Sequence, residues 1–135
     1  MASVTRLPYF VANVKDEPKA LLKVMLNLKD LDVGLSGLWG FASKEGKGEL
    51  FVVARESEAL KTAWKESGLF AKEGTGFFIS GPDRTGALIE TLENLVRWGI
   101  NIRAIDAIAV GSVFGSFLWV DDEDVERAAI ALGLP

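Results

Sequence analysis

The feature that most constrains this chain is that it repeats itself. Sliding the 135-residue sequence by 83 − 16 = 67 positions lays Asp16-Glu17-Pro18-Lys19-Ala20-Leu21 over Asp83-Arg84-Thr85-Gly86-Ala87-Leu88. The same ungapped slide pairs Phe10 with Phe77, Asn27 with Asn94, Leu28 with Leu95, Ala42 with Ala109, Gly48 with Gly115, Val53 with Val120 and Glu56 with Glu123. Hydrophobic classes follow it too: Val33 with Ile100, Leu35 with Ile102, and Leu50-Phe51 with Phe117-Leu118. A fixed internal period is the mark of one supersecondary unit used twice.

Both copies read alike. Tyr9 to Val14 and Phe77 to Ser80 are short, apolar and aromatic, which predicts strands. A loop follows, then a helical period: Leu21, Met25, Leu28 and Leu31 in one copy, and Leu88, Leu92 and Leu95 in the other. Pro18 suits a first helical turn, and Gly99 suits the position just past a helix end. Val33 to Ala42 with Glu49 to Ala54, and Ile100 to Val110 with Ser116 to Val120, read as hairpins turned at glycine. Second helices follow, with Leu60, Ala63 and Trp64 on one face and Val125, Ala128, Ala129 and Leu132 on its counterpart. Ser57 and Asp122 are the candidate N-caps.

With Leu69 to Glu73 as a closing strand, the order is that of the split βαβ. The fold class is therefore α+β: two tandem ferredoxin-like βαββαβ modules, with antiparallel sheets and helices on one face. The expected boundaries are 1–73 and 74–135. Copy two stops at Pro135, straight after its second helix, and the slide aligns Ala2–Arg6 with Leu69–Glu73. Residues 1–7 are thus a candidate edge strand for the second module.

Composition narrows the chemistry. A net charge of −4 argues against a phosphate-binding surface, so no nucleic acid is expected as partner. The chain has no Cys and no His, which removes disulfides, thiolate metal sites, Cys nucleophiles and imidazole bases. No metal and no cofactor is expected. The acidic run Asp121 to Asp124 opens a helix, where carboxylates suit the dipole. No catalytic residue stands out. The start of the chain lacks a signal-type apolar core, and Ala104 to Val120 is interrupted by Asp106 and small residues. The expectation is a cytoplasmic protein with no membrane partner.

At these residues the chain resembles a family. Gly81-Pro82-Asp83-Arg84-Thr85-Gly86-Ala87-Leu88, then Trp98-Gly99-Ile100-Asn101-Ile102, then Gly115 with Ser116 to Val120, are similar to the ACT domain. That family comprises small regulatory modules of amino-acid metabolism. The second copy matches along nearly its whole length, the first more loosely, so the chain resembles a free-standing tandem ACT protein. The resemblance implies modules paired through strands, and an amino acid held between one loop and a neighbouring module's second strand. Carried over, it marks Asp83, Arg84, Thr85 and Gly86 on the loop, Asn101 and Ile102 at the strand start, and Leu35 and Ser36 on a second wall.

Elementary chemistry agrees with that placement. Free N–H groups at a helix start suit a carboxylate, Gly86 lets backbone come close, and Asn101 offers donors and an acceptor. The same residues have plainer uses: Asp83 as a cap, Gly86 in packing, Asn101 bonding its own backbone. The first copy has Lys19 in place of Gly86 and Gly34 in place of Asn101, which weakens its loop as a cradle.

Trp39, Trp64, Trp98 and Trp119 read as packing residues. Val113 and Phe114, at an expected hairpin tip, invite a partner surface, preferably a second copy of the chain. The function expected is non-catalytic: an allosteric regulator that binds an amino acid and forms a homodimer. The alternative is a ligand-free module that serves a separately encoded metabolic enzyme as its regulatory subunit.

Overall fold

A computed structural model describes residues 2–42 and 45–135. The elements run β1 (Ser3–Lys15), α1 (Pro18–Asp30), β2 (Leu35–Ala42), β3 (Lys47–Ala54), α2 (Ser57–Ser67), β4 (Phe70–Pro82), α3 (Ile89–Arg97), β5 (Ile102–Val110), β6 (Val113–Val120), a 3-10 turn (Asp122–Asp124) and α4 (Val125–Ala131). The chain divides into two compact units. One is Pro8–Gly74, the N-terminal unit; the other joins the residues up to Leu7 to Thr75–Pro135.

The long strands β1 and β4 each contribute to both units. The hydrogen-bonded order is β2-β3-β1-β4 in the N-terminal unit and β5-β6-β4-β1 in the C-terminal unit. The β1–β3, β2–β3, β4–β6 and β5–β6 ladders are antiparallel.

The two strands expected at Leu69 to Glu73 and Phe77 to Ser80 are thus one strand, β4. Its glycines read as breaks but serve packing instead. A Cβ at Gly74 would lie 2.4 Å from the Tyr9 ring, and one at Gly76 would lie 2.5 Å from the Phe117 ring. Each glycine makes room for an aromatic ring laid across the strand.

Alternation along the strands sorts the cores. In the N-terminal unit Phe10, Ala12, Leu50, Val52 and Ala54 pack against Val24 and Leu28 of α1 and Leu60 and Trp64 of α2. Both helices therefore cover the same sheet face. In the C-terminal unit Phe77, Ile79, Leu118 and Val120 meet Leu95 of α3 and Val125, Ala128 and Ala129 of α4, with Ala2 and Val4 against them. The expected α1 face is partly wrong: Leu21 is 47% and Leu31 51% exposed, while Val24 is buried. Leu21 lies in the first turn and Leu31 is the C-cap, so both overhang the sheet.

Helix ends follow local chemistry. Pro18 opens α1, and Glu17 is its N-cap. Ser57 is the first residue of α2 rather than its cap, and Asp122 opens the 3-10 turn; neither helix has a side-chain cap bond. Gly68 (φ 77°) and Gly133 (φ 80°) end α2 and α4. The Leu69 and Leu134 amides then donate back to the Trp64 and Ala129 carbonyls, both at 2.9 Å. Gly99 (φ 65°) follows α3, and Asp32 (φ 56°) takes the same left-handed conformation after α1.

Registers show where the repeat slips. Phe10 faces Val52 and Phe77 faces Leu118, so β3 and β6 correspond at 118 − 52 = 66. The closing glycines correspond at 133 − 68 = 65. The sequence pairings of Gly48 with Gly115, Val53 with Val120, Glu56 with Glu123, and Leu50-Phe51 with Phe117-Leu118 are therefore one or two residues out. The tight Gly111-Ser112 connection between β5 and β6 accounts for the first slip. It also removes the expected tip: Val113 and Phe114 lie within β6, and Phe114 is buried against the core. Only Val113 stays outside, 54% exposed.

Candidate functional site

The loop after β4 unwinds the place where a helix could begin. Asp83 donates its N–H to the Ser112 carbonyl at 2.8 Å, so it is tied to the β5–β6 turn and caps no helix. Two turns follow, Ala87 N–H to Arg84 O at 3.1 Å and Ile89 N–H to Gly86 O at 3.0 Å. Gly86 sits at φ 79°, and a Cβ there would press on Ile89 Cδ1 at 3.0 Å. Helix α3 starts only at Ile89. Among the described residues, the amides of Thr85, Gly86 and Leu88 donate to no backbone group. These are the free donors that an anion finds at a helix start.

Above this loop lies an open depression of about 320 Å³. Asp83, Arg84 and Gly86 form one side, and Leu92 with Ala107 and Ala109 of β5 forms the other. Of these, Leu92, Ala107 and Ala109 are not among the site residues expected from the sequence. The signal was present as alternating alanines, which leave space between α3 and the strand, but small residues in a strand have no chemistry to flag.

The remaining candidates lie elsewhere. Asn101 is exposed just before β5. It is six residues from Ala107, about 20 Å along an extended strand. Ile102 pairs with Val120 and packs on the C-terminal core. Leu35 packs on the N-terminal core, and Ser36 is exposed at the bulge between Leu35 and Gly37. A second depression in the C-terminal unit, about 580 Å³, is lined by Phe78, Pro82, Ile108, Val110 and Val113 among others, with no charged side chain.

No family model and no curated protein matches this chain. Solved structures resemble it. A protein of Bacteroides thetaiotaomicron, 20% identical, superposes with a TM-score of 0.82 and covers 96% of this chain and 88% of its own. The ligand-free regulatory subunit of aspartate kinase from Thermus thermophilus, 14% identical, gives 0.63 over 97% of this chain and 93% of its own. Aspartokinase III of E. coli, solved with lysine and aspartate, is 15% identical and gives 0.56 over 97% of this chain and 31% of its own. At these identities the likeness speaks for the fold alone, the mixed α/β arrangement that this chain shares with them. No helix among the described residues is long and apolar enough to cross a membrane.

Proposed function

We propose that this chain is a non-catalytic, cytoplasmic regulatory protein made of two ACT-like modules, which binds a free amino acid over the Asp83–Leu88 loop. The observation that carries this reading is the loop itself: Gly86 at φ 79° delays α3 and leaves three amides without backbone acceptors beside a depression. The ligand carboxylate meets those amides, and the Asp83 carboxylate accepts from the ammonium group. That two structural neighbours are regulatory subunits of aspartate kinase, and another is an aspartokinase solved with lysine and aspartate, supports the class.

Asn101 and Ile102 are too far along β5 to complete the same loop from within one unit. In this reading a second copy supplies that wall, with Leu35 and Ser36 in the equivalent role, and the working form is a homodimer. Occupancy changes how the copies pair, which is the allosteric output.

A thermal-shift screen of free amino acids tests this. Ligand at 100 times Kd stabilises by about 2.7 kcal/mol, which moves the midpoint by several degrees. Gly86→Ala should abolish the part of the shift that binding at the loop contributes. If no amino acid moves the midpoint, the reading fails. A second reading then takes its place, a docking module for a separately encoded enzyme. It is favoured by the exposed Ile108 (70%), Val110 (69%) and Val113 (54%).

A further inference from the structure

We infer, on the strength of the loop reading above, that the amino acid bound there has a branched apolar side chain, and that Ala107 and Ala109 select it. Charge is distributed unevenly around the depression of about 320 Å³. Its loop side has one anion, Asp83, and one cation, Arg84. These match the two charges that every free amino acid carries. Arg84 and the amides of Gly86 and Leu88 meet the carboxylate, and Asp83 meets the ammonium group. Both ligand charges are then neutralised at the loop.

The opposite wall has nothing for a third charge. It is built by Ile89 and Leu92 of α3, Ala107 and Ala109 of β5, and Phe114 of β6. The ladder explains this. Ala107 faces Ser116 and Ala109 faces Phe114, which packs in the C-terminal core. The two alanines therefore point to the helix-bearing face of the sheet.

The nearest polar groups are already engaged. Ser116 is buried and donates its hydroxyl to the Asp106 carbonyl. The Asp106 carboxylate accepts the Phe117 N–H at 2.9 Å. A ligand side chain that ends in an ammonium, a carboxylate or a hydroxyl finds no side-chain partner on this wall. A branched hydrocarbon instead covers Leu92 and Ile89, the latter 58% exposed. Alanine at 107 and 109 leaves the gap in which it lies, and a longer side chain at either position would fill that gap.

The test is calorimetry of the full chain with leucine, valine, threonine, lysine and aspartate. Leucine should bind most tightly. Valine should exceed threonine, its near-isostere, by about tenfold or more, because only a methyl and a hydroxyl are exchanged. Lysine and aspartate, the amino acids in the similar E. coli structure, should bind about tenfold or more weakly than leucine. Ala107→Asp, at an exposed position, gives the wall a carboxylate and should raise lysine above leucine. An unchanged thermal midpoint would show that this variant remains folded. Threonine, lysine or aspartate bound as tightly as leucine, and lost in Gly86→Ala, would overturn the apolar class while leaving the loop reading in place. Full leucine affinity in Ala107→Asp would overturn the role of the alanine wall. No binding of any amino acid would remove the loop reading itself, and this inference with it.

Discussion

Two loops occupy the same place in the repeat and behave in opposite ways. After β1 the chain turns once and Pro18 starts α1 immediately. Proline has no N–H to leave unpaired, and its ring pre-sets the helical φ. After β4, residues 85–88 form turns first, and α3 begins one helical turn later in the motif than α1. The difference rests largely on Gly86, whose φ of 79° is closed to most side chains at low energy. One copy has sealed its helix start; the other exposes it. The same contrast runs in reverse on the helix-free face, where the N-terminal copy carries Lys15, Lys47 and Glu49 and the C-terminal copy has Pro82, Val113 and Gly115 at the matching positions. A duplicated fold can place different chemistry in each half while keeping the core common.

The largest test of that common core is at the second helices. The offset of 65 puts Trp64 and Ala129 in the same seat, both buried. Trp64→Ala should cost about 3–5 kcal/mol in urea denaturation, the usual penalty for emptying an aromatic seat. Ala129→Gly should cost about 1 kcal/mol. Equal losses would break the equivalence. Next comes removal of residues 1–6. Ala2 and Val4 pack on the C-terminal core. Losing them should cost about 2 kcal/mol or more, and hydrogen exchange should quicken at Ile79 and Leu118. Unchanged exchange there would show that the segment is a tail.

Smaller effects of opposite sign are expected at two left-handed positions. Gly86→Ala should destabilise by about 1 kcal/mol, and Asp32→Gly should stabilise by about as much, because a Cβ is penalised in that conformation. Thermal midpoints of the two variants should move in opposite directions. A stabilising Gly86→Ala would mean that the loop relaxes into helix, as Lys19 does in the other copy.

What the sequence made legible follows from where its signals are local. Pro18 and Gly99 mark helix ends wherever they occur, and the strand–helix order could be read from periodicity. The hairpin slip could not, because Phe51 next to Leu50 resembles Leu118 next to Phe117 in either register. Only the ladder shows that Phe51 and Phe117 correspond. Gly74 and Gly76 read as breaks because their partners, Tyr9 and Phe117, are distant in sequence. At the candidate site, Asp83, Arg84 and Gly86 were visible as loop chemistry. Ala107 and Ala109 on its far side were not, since that wall exists only once β5 lies beside α3.

The finest comparison is between two ion pairs. Lys61 of α2 bonds Glu73 of β4 at 2.8 Å in the N-terminal unit. Arg6 of β1 holds Glu126 of α4 through two contacts, 2.6 and 3.1 Å, in the C-terminal unit. Lys61 and Glu126 correspond at the offset of 65, so the helix-to-edge-strand bridge is kept with its charges exchanged. Arg6 thus stands in one copy where Glu73 stands in the other. The hydrogen bond from Arg6, with its charge, holds the Glu126 carboxyl below its ordinary value. A depressed carboxyl stabilises the fold above its unfolded pKa, and that contribution is lost as pH falls through the folded one. Arg6→Ala should therefore lower the urea midpoint slightly at neutral pH, and the gap to the parent protein should close on acidification. Arg6→Glu should do worse at neutral pH by setting like charges together, and adding Glu126→Lys should restore it by recreating the Lys61–Glu73 polarity. A gap that persists in acid, or a double variant no better than Arg6→Glu, would mean that packing of Ala2 and Val4 alone holds the strand.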